Sequence, residues 1–234
     1  MISSINAKEL EKHLKSQYKY TSSFISGISL GFIDALVFML SICIGFFIVN
    51  AVDPSCINFR SFLKYSVFLP AVFIVFYLNG LYPGILLAPE DEVRRFSLSS
   101  FFILIGEAFA LTTIKSTKDL IPIAIALVLS WPFATILLPL GREISRRYFA
   151  KFSWWGVPAV VYNKDDRANL IVERLLKKKY LGYRPILIVT DSAIHKDEFL
   201  GIKIVEQSAE ISAVLKKINI KVGILCGFNK NLEE

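Results

Sequence analysis

Residues 24–52 are an almost uninterrupted apolar run, well beyond the ~20 residues a helix needs to cross the hydrocarbon of a bilayer. Lipid leaves such a segment little choice, because its backbone groups must all be bonded internally and a helix does that within one segment. Three further apolar runs follow at 62–81, 97–114 and 120–140. Lys64 can snorkel from the second to the interface and Pro70 can kink it; Glu107 interrupts the third; Pro122, Trp131, Pro132 and Pro139 mark the fourth. With 54% hydrophobic and 20% charged residues and a mean hydropathy of +0.52, the chain has too little polar surface for a soluble domain. The expected first part is therefore a four-helix transmembrane bundle over 24–140, with both chain ends on one side.

Lysine and arginine in the short loops decide which side. Residues 1–23 carry Lys8, Lys12, Lys15 and Lys19 at spacings that suit a surface helix, and Arg142, Arg146, Arg147 and Lys151 follow the fourth run. Both ends are expected in the cytoplasm, which makes this a multi-pass membrane protein; the resemblance given below implies the bacterial inner membrane. Arg60, Lys64, Lys115 and Lys118 pull the other way, in the outer loops. A cleaved signal peptide does not fit, since the first apolar run begins far in, is long, and lacks a small-residue cleavage pattern.

The stretch 81–96, LYPGILLAPEDEVRRF, joins the second and third runs. Tyr82, Pro83 and Gly84 end one helix, because proline cannot continue it and glycine is free to take positive φ. Another helix is expected from Pro89. Glu90, Asp91 and Glu92 then suit the positive end of its dipole, with Arg94 and Arg95 one turn later.

Past Gly141 the character changes. Residues 141–157 are basic and aromatic, and are expected to lie along the inner interface with Tyr148, Trp154 and Trp155 at headgroup level. Residues 158–234 alternate strands (158–162, 185–190, 202–205, 222–226) with helices (167–180, 208–218), the pattern of a parallel sheet and an incomplete Rossmann-like α/β cytoplasmic module. From residue 141 onward there are 17 Lys and Arg against 11 Asp and Glu, compared with 10 against 9 before it, out of a net charge of +7. The expected partner of that excess is anionic lipid of the inner leaflet, not nucleic acid.

Candidate chemistry is sparse. Asp34 and Glu107 are ionisable groups inside apolar runs, where a charge costs roughly 2.5 to 3.5 kcal/mol, and they are what a small transporter or channel would use. The plainer reading pairs each with a polar group on a neighbouring helix. A dinucleotide-binding turn after the first strand would need glycine, yet 163–166 reads Asn-Lys-Asp-Asp. Asp91 with Glu92 fits helix-start charge, Asp197 with Glu198 a solvated loop, and Lys177 to Lys179 a helix C-terminus. Cys43, Cys56 and Cys226 fall in different environments and the histidines are His13 and His195, so neither a disulfide framework nor a metal or cofactor site is expected.

Three segments carry a resemblance. The stretch with Tyr82, Pro83, Gly84, Pro89, Arg94 and Arg95, then Trp155, Gly156 and Pro158, then Leu181, Gly182, Tyr183 and Pro185 resemble the large bacterial polyprenyl-phosphate hexose-1-phosphate transferases, of the undecaprenyl-phosphate galactose phosphotransferase type. The likeness runs over almost the whole chain in order. It implies a role in O-antigen, capsule or exopolysaccharide assembly, where such proteins transfer a sugar 1-phosphate from a UDP-sugar to undecaprenyl phosphate with magnesium. In that family an Asp-Glu dyad in a further C-terminal domain does the chemistry. The expectation is thus a membrane and regulatory portion without its own catalytic residues, acting as a homodimer or beside a separate catalytic subunit.

Overall fold

The computed structural model describes residues 7–18, 21, 23–52, 54, 69–85, 87–112, 117–163, 168–191, 198–218 and 220–226. Lys19, Cys56, Arg60, Lys64, Lys115, residues 164–166, His195 and Asp197, all singled out above, lie outside them. The chain forms two compact units, one of residues 24–146 and one that joins residues 1–23 to 147–234.

The first unit holds α2 (Ser23–Val52), α3 (Leu69–Leu78), α4 (Pro89–Thr112) and the greater part of α5 (Thr117–Phe149). Each helix contributes to one apolar core: Phe38 and Phe46 from α2, Val72 and Phe76 from α3, Phe96 and Leu104 from α4, Ile123, Leu127 and Leu138 from α5. Phe76 is the hinge of this packing, edge-on to Phe38 at 6.2 Å and to Phe96 at 5.2 Å between ring centroids, the arrangement that aromatic quadrupoles favour. Gly45 lets α2 approach α5 closely, since a Cβ there would collide with the Ala126 carbonyl and the Ser130 hydroxyl. Small residues at such a crossing are how helices pack where lipid supplies no hydrophobic drive. Outward faces are apolar, with Phe24, Ile28, Phe32 and Leu36 exposed on α2 and Ile121, Val128 and Ile136 on α5.

Among the described residues two segments are long and apolar enough to cross a membrane, Ser23–Val52 and Ile121–Phe149. Residues 62–68 of the second run lie outside the described residues. The described part of the second is α3, of ten residues, about 15 Å of helix. The third is continuous with the charged turn before it, because Pro89 opens one 24-residue helix through Thr112. The fourth continues through Gly141 to Phe149, so the first half of the expected interfacial connector 141–157 is a helical extension. Pro122, Pro132 and Pro139 all lie within α5.

The second unit is built on a five-stranded sheet in the order β3-β4-β2-β1-β5, with β1 Val157–Asn163, β2 Tyr183–Thr190, β3 Glu198–Phe199, β4 Ile202–Glu206 and β5 Val222–Cys226. Four strands are parallel, as the alternating pattern predicts, and β3 adds an antiparallel edge. The sequence suggests a solvated loop at Asp197 and Glu198 instead of that edge strand. The strand forms because Leu200 and Gly201, both at positive φ, turn Glu198–Phe199 back onto β4. Strand order reverses beside β1, between β2 and β5, the doubly wound arrangement. Pro185 sits in the interior strand β2, where it has no N–H for the ladder, and the β1–β2 register shifts beside it between Ala159 and Val160.

One face of the sheet is covered by α6 (Ala168–Lys177), through Ala168 and Val172 against Val161, Ile188 and Ile202. On the other face lie α7 (Ala209–Lys217) and α1 (Ala7–Tyr18). Leu10 and Leu14 of α1 are fully buried against Val160, Leu187, Val205 and Leu215. The N-terminal helix is therefore a piece of the α/β unit's core, with Lys12 and Lys15 exposed on its other face.

Glu11 ties α1 to α7, accepting from Lys15 at 2.7 Å and from Lys217 at 2.9 Å. Those two ammonium groups hold its carboxyl down at about 2. A depressed carboxylate adds stability above its unfolded pKa and loses it as pH falls through the folded one. Protection of α1 amides from hydrogen exchange, corrected for intrinsic rate, is thus expected to weaken between about pH 4.5 and pH 2, and Glu11→Gln to flatten that dependence.

Candidate functional site

Asp34 and Glu92 lie far apart in the chain, 108 and 50 positions from Arg142, yet Arg142 binds both. Its Nη2 donates to Asp34 Oδ2 at 2.7 Å and its Nε to the same oxygen at 3.2 Å, while Nη1 donates to Glu92 Oε1 at 2.7 Å. Arg146, one turn further along α5, donates to both oxygens of Glu92 at 2.6 and 3.0 Å and to the Gly84 carbonyl. The Tyr82 hydroxyl donates to Asp34 Oδ2 at 3.0 Å. Arg142 is 0% exposed, Asp34 1% and Glu92 4%. Two guanidinium groups thus face two carboxylates, and the cluster is formally neutral.

The local sequence explains how four segments meet there. Arg142 and Arg146 are four residues apart and so share a face of α5. Glu92 falls in the first turn of α4. Gly84, at φ +75°, brings the 81–85 turn against the arginine: a Cβ would sit 3.1 Å from Arg142 Nη1 and 3.1 Å from Leu30 Cδ1. The Arg142 guanidinium also lies over the Tyr82 and Phe96 rings, 5.2 and 4.6 Å from their centroids, cation–π contacts that strengthen away from water. Burial, with the Asp34 carboxylate next to it, pushes the Tyr82 phenol above its ordinary pKa, so it stays a donor. Its Tyr82–Pro83 peptide is cis.

The junction motif is accounted for almost residue by residue. Tyr82 and Gly84 line the ion-pair cluster, and Pro83 packs by Gly27, whose added Cβ would lie 3.6 Å from Pro83 Cα. Pro89 is the first residue of α4. Arg95 donates to the Asn79 carbonyl at 2.8 Å and reaches Gly80 at 3.5 Å, closing the end of α3 where the last carbonyls lack helical partners. Arg94 is exposed.

Two sequence expectations need correction. Arg142 does not count as a free cytoplasmic charge, because it is wholly buried and paired. Glu92 is more than helix-start charge, since it accepts from two arginines. The plainer reading of Asp34, a pairing with neighbouring helices, describes what is observed. Glu107 is buried, and no described side chain pairs with it. Nor does it meet Asp34: Glu92 marks the level of Asp34 on α4, and the rise from Glu92 to Glu107 is roughly 22 Å. Arg142 as a partner escaped sequence reading, although two arginines four apart at the end of an apolar run containing an aspartate are a usable signal.

In the α/β unit, the turn after β1 begins at Asn163 and then leaves the described residues. Cys43 is half-buried and Cys226 buried, both as free thiols. Among the described residues, no three His, Cys, Asp or Glu side chains are grouped to hold a metal. The fold and the site define a chain with two helices long and apolar enough to cross a membrane, a buried ion-pair junction and an α/β unit on a mixed five-stranded sheet. Compared with models of known protein families and with curated proteins, it gives no match.

Proposed function

We propose that this chain is the membrane-anchoring and scaffolding part of an undecaprenyl-phosphate sugar-1-phosphate transferase of bacterial O-antigen, capsule or exopolysaccharide assembly. One observation carries the reading. Of the residues of the 81–96 stretch that give the family resemblance, Tyr82 and Gly84 are engaged at the buried ion-pair cluster and Arg95 at the helix end beside it. Such a cluster fixes the relative level of helices and presents nothing to a substrate, which is scaffold chemistry. Asp34 is occupied by Arg142 and Tyr82 and is remote from Glu107, so a transport path through both carboxylates has less support.

In this reading all four apolar helices cross the inner membrane, with the chain ends cytoplasmic. The shared core of α1 and the sheet supports that arrangement, because segments before the first crossing and after the last can pack together only on the same side. Sugar-phosphate transfer with magnesium falls to a catalytic unit that the scaffold holds at the inner leaflet, in a homodimer or beside a separate subunit. The test is to purify the chain and supply UDP-sugar, magnesium and undecaprenyl phosphate. No UMP release is expected from the chain alone, together with higher activity when a catalytic transferase unit is co-expressed and co-purified with it. UMP release by the chain alone, or no association with such a unit, sinks the reading.

A further inference from the structure

Lys178 follows the end of α6 and Lys179 opens the short 3-10 turn Lys179–Leu181, and a helix C-terminus is cause enough for positive charge in the sequence. Tertiary contacts give them another neighbour. The Gly182 carbonyl that follows the turn accepts from the Val157 N–H at 2.7 Å, and Gly156 must be glycine because a Cβ would stand 2.7 Å from that same carbonyl. Arg184 donates to the Phe152 carbonyl at 3.0 Å. The Arg147 guanidinium lies over the Tyr180 ring, 5.6 Å from its centroid. The lysine pair is thus tied to the segment that closes the candidate span Ile121–Phe149.

That segment is amphipathic in the manner of an interface. Tyr148 is 58% and Phe152 40% exposed, Lys151 lies 5.7 Å from the Tyr148 ring, and Phe152 stacks on Trp154 at 5.7 Å. Lys177 is engaged by Glu173 at 2.6 Å. Lys151, Lys178 and Lys179 are exposed and pair with no carboxylate among the described residues. We infer that Lys178 and Lys179, with Lys151 and the exposed rings of Tyr148 and Phe152, form a docking surface for anionic phospholipid headgroups. The occupant follows from charge and continuity: unpaired cations beside exposed aromatic rings, at the end of a helix apolar enough to span, meet the headgroup layer of the membrane that helix crosses. This rests on the reading that α5 crosses a bilayer.

The full chain in nanodiscs tests it, with bilayers of phosphatidylcholine holding a minor share of brominated phosphatidylglycerol or, in parallel, brominated phosphatidylcholine. Tryptophan quenching in a Trp131→Phe background, which removes the exposed tryptophan of the span itself, reports which lipid collects near Trp154. The anionic lipid is expected to quench several-fold more, the excess to fall at high salt, and K178Q/K179Q to remove most of it while K216Q on α7 leaves it intact. Equal quenching by the two lipids, or an excess that K178Q/K179Q leaves unchanged, overturns the proposal alone. Absence of quenching by either lipid overturns the membrane reading beneath it as well.

Discussion

Arg142→Leu is expected to destabilise the helical unit by about 3 to 5 kcal/mol, the range for removing one partner of a buried ion pair. Asp34 carries the loss. Its Oδ2 would keep only the Tyr82 hydroxyl, and its Oδ1 already has no hydrogen-bond partner. Glu92 would keep Arg146, so the two carboxylates are not equally exposed to the change. Arg142→Lys is expected to recover only part of the loss, because an ammonium cannot reproduce the fork that reaches Asp34 and Glu92 at once. The informative variant is the double substitution D34L/R142L. Removing both charges lets apolar side chains fill the site, and replacement of a buried pair in this way is often close to neutral. The double variant is therefore expected to be more stable than R142L, which a double-mutant cycle of unfolding in mild detergent measures directly. A loss under about 0.5 kcal/mol for R142L, the size of an ordinary surface change, would show that the cluster does not hold the helices.

Leu14→Ala should cost about 2 to 5 kcal/mol in the α/β unit, as a large-to-small change at a fully packed site does. Leu14 is 0% exposed, and with Leu10 it fills the sheet face shared with α7. Isolated helices as short as α1, with 12 residues, are marginal in water, so its order depends on this burial. The expected signature is local before it is global: α1 and α7 amides lose exchange protection together, while α6 amides on the opposite face change less. Loss confined to α1, with α7 unaffected and melting unchanged, would make α1 an appendage instead of core.

Much of this architecture is legible one segment at a time. The apolar run at 24–52 specifies a helix because length and composition leave no other way to satisfy its backbone, and α2 covers Ser23–Val52. Pro89 starts a helix and the alternating pattern after residue 157 becomes four parallel strands, whereas α3 ends at Leu78 with Gly80 at positive φ, ahead of the Tyr82–Gly84 turn expected to end it. These are local effects, carried by periodicity, breakers and caps.

The site was less legible, since its parts are far apart in the chain. Asp34 is 108 residues from Arg142, and Glu92 is 50. A lone charge in an apolar run announces that it needs a partner, without naming which one. Arg142 looked like a loop charge because it follows an apolar run, and its burial depends on α5 continuing past Gly141 as helix. The lysine-rich face of α1 was readable, whereas the leucines on its other side had no visible counterpart until the sheet existed. By itself the sequence determined where most helices and four of the strands lie and that much of the chain is apolar enough for lipid. Only the tertiary structure decided that Arg142 joins Asp34 to Glu92, and that α1 belongs to the α/β core. The physical reason is that backbone and burial preferences act over a few residues, while the pairing of buried charges and the filling of a sheet face depend on which distant segments share one space.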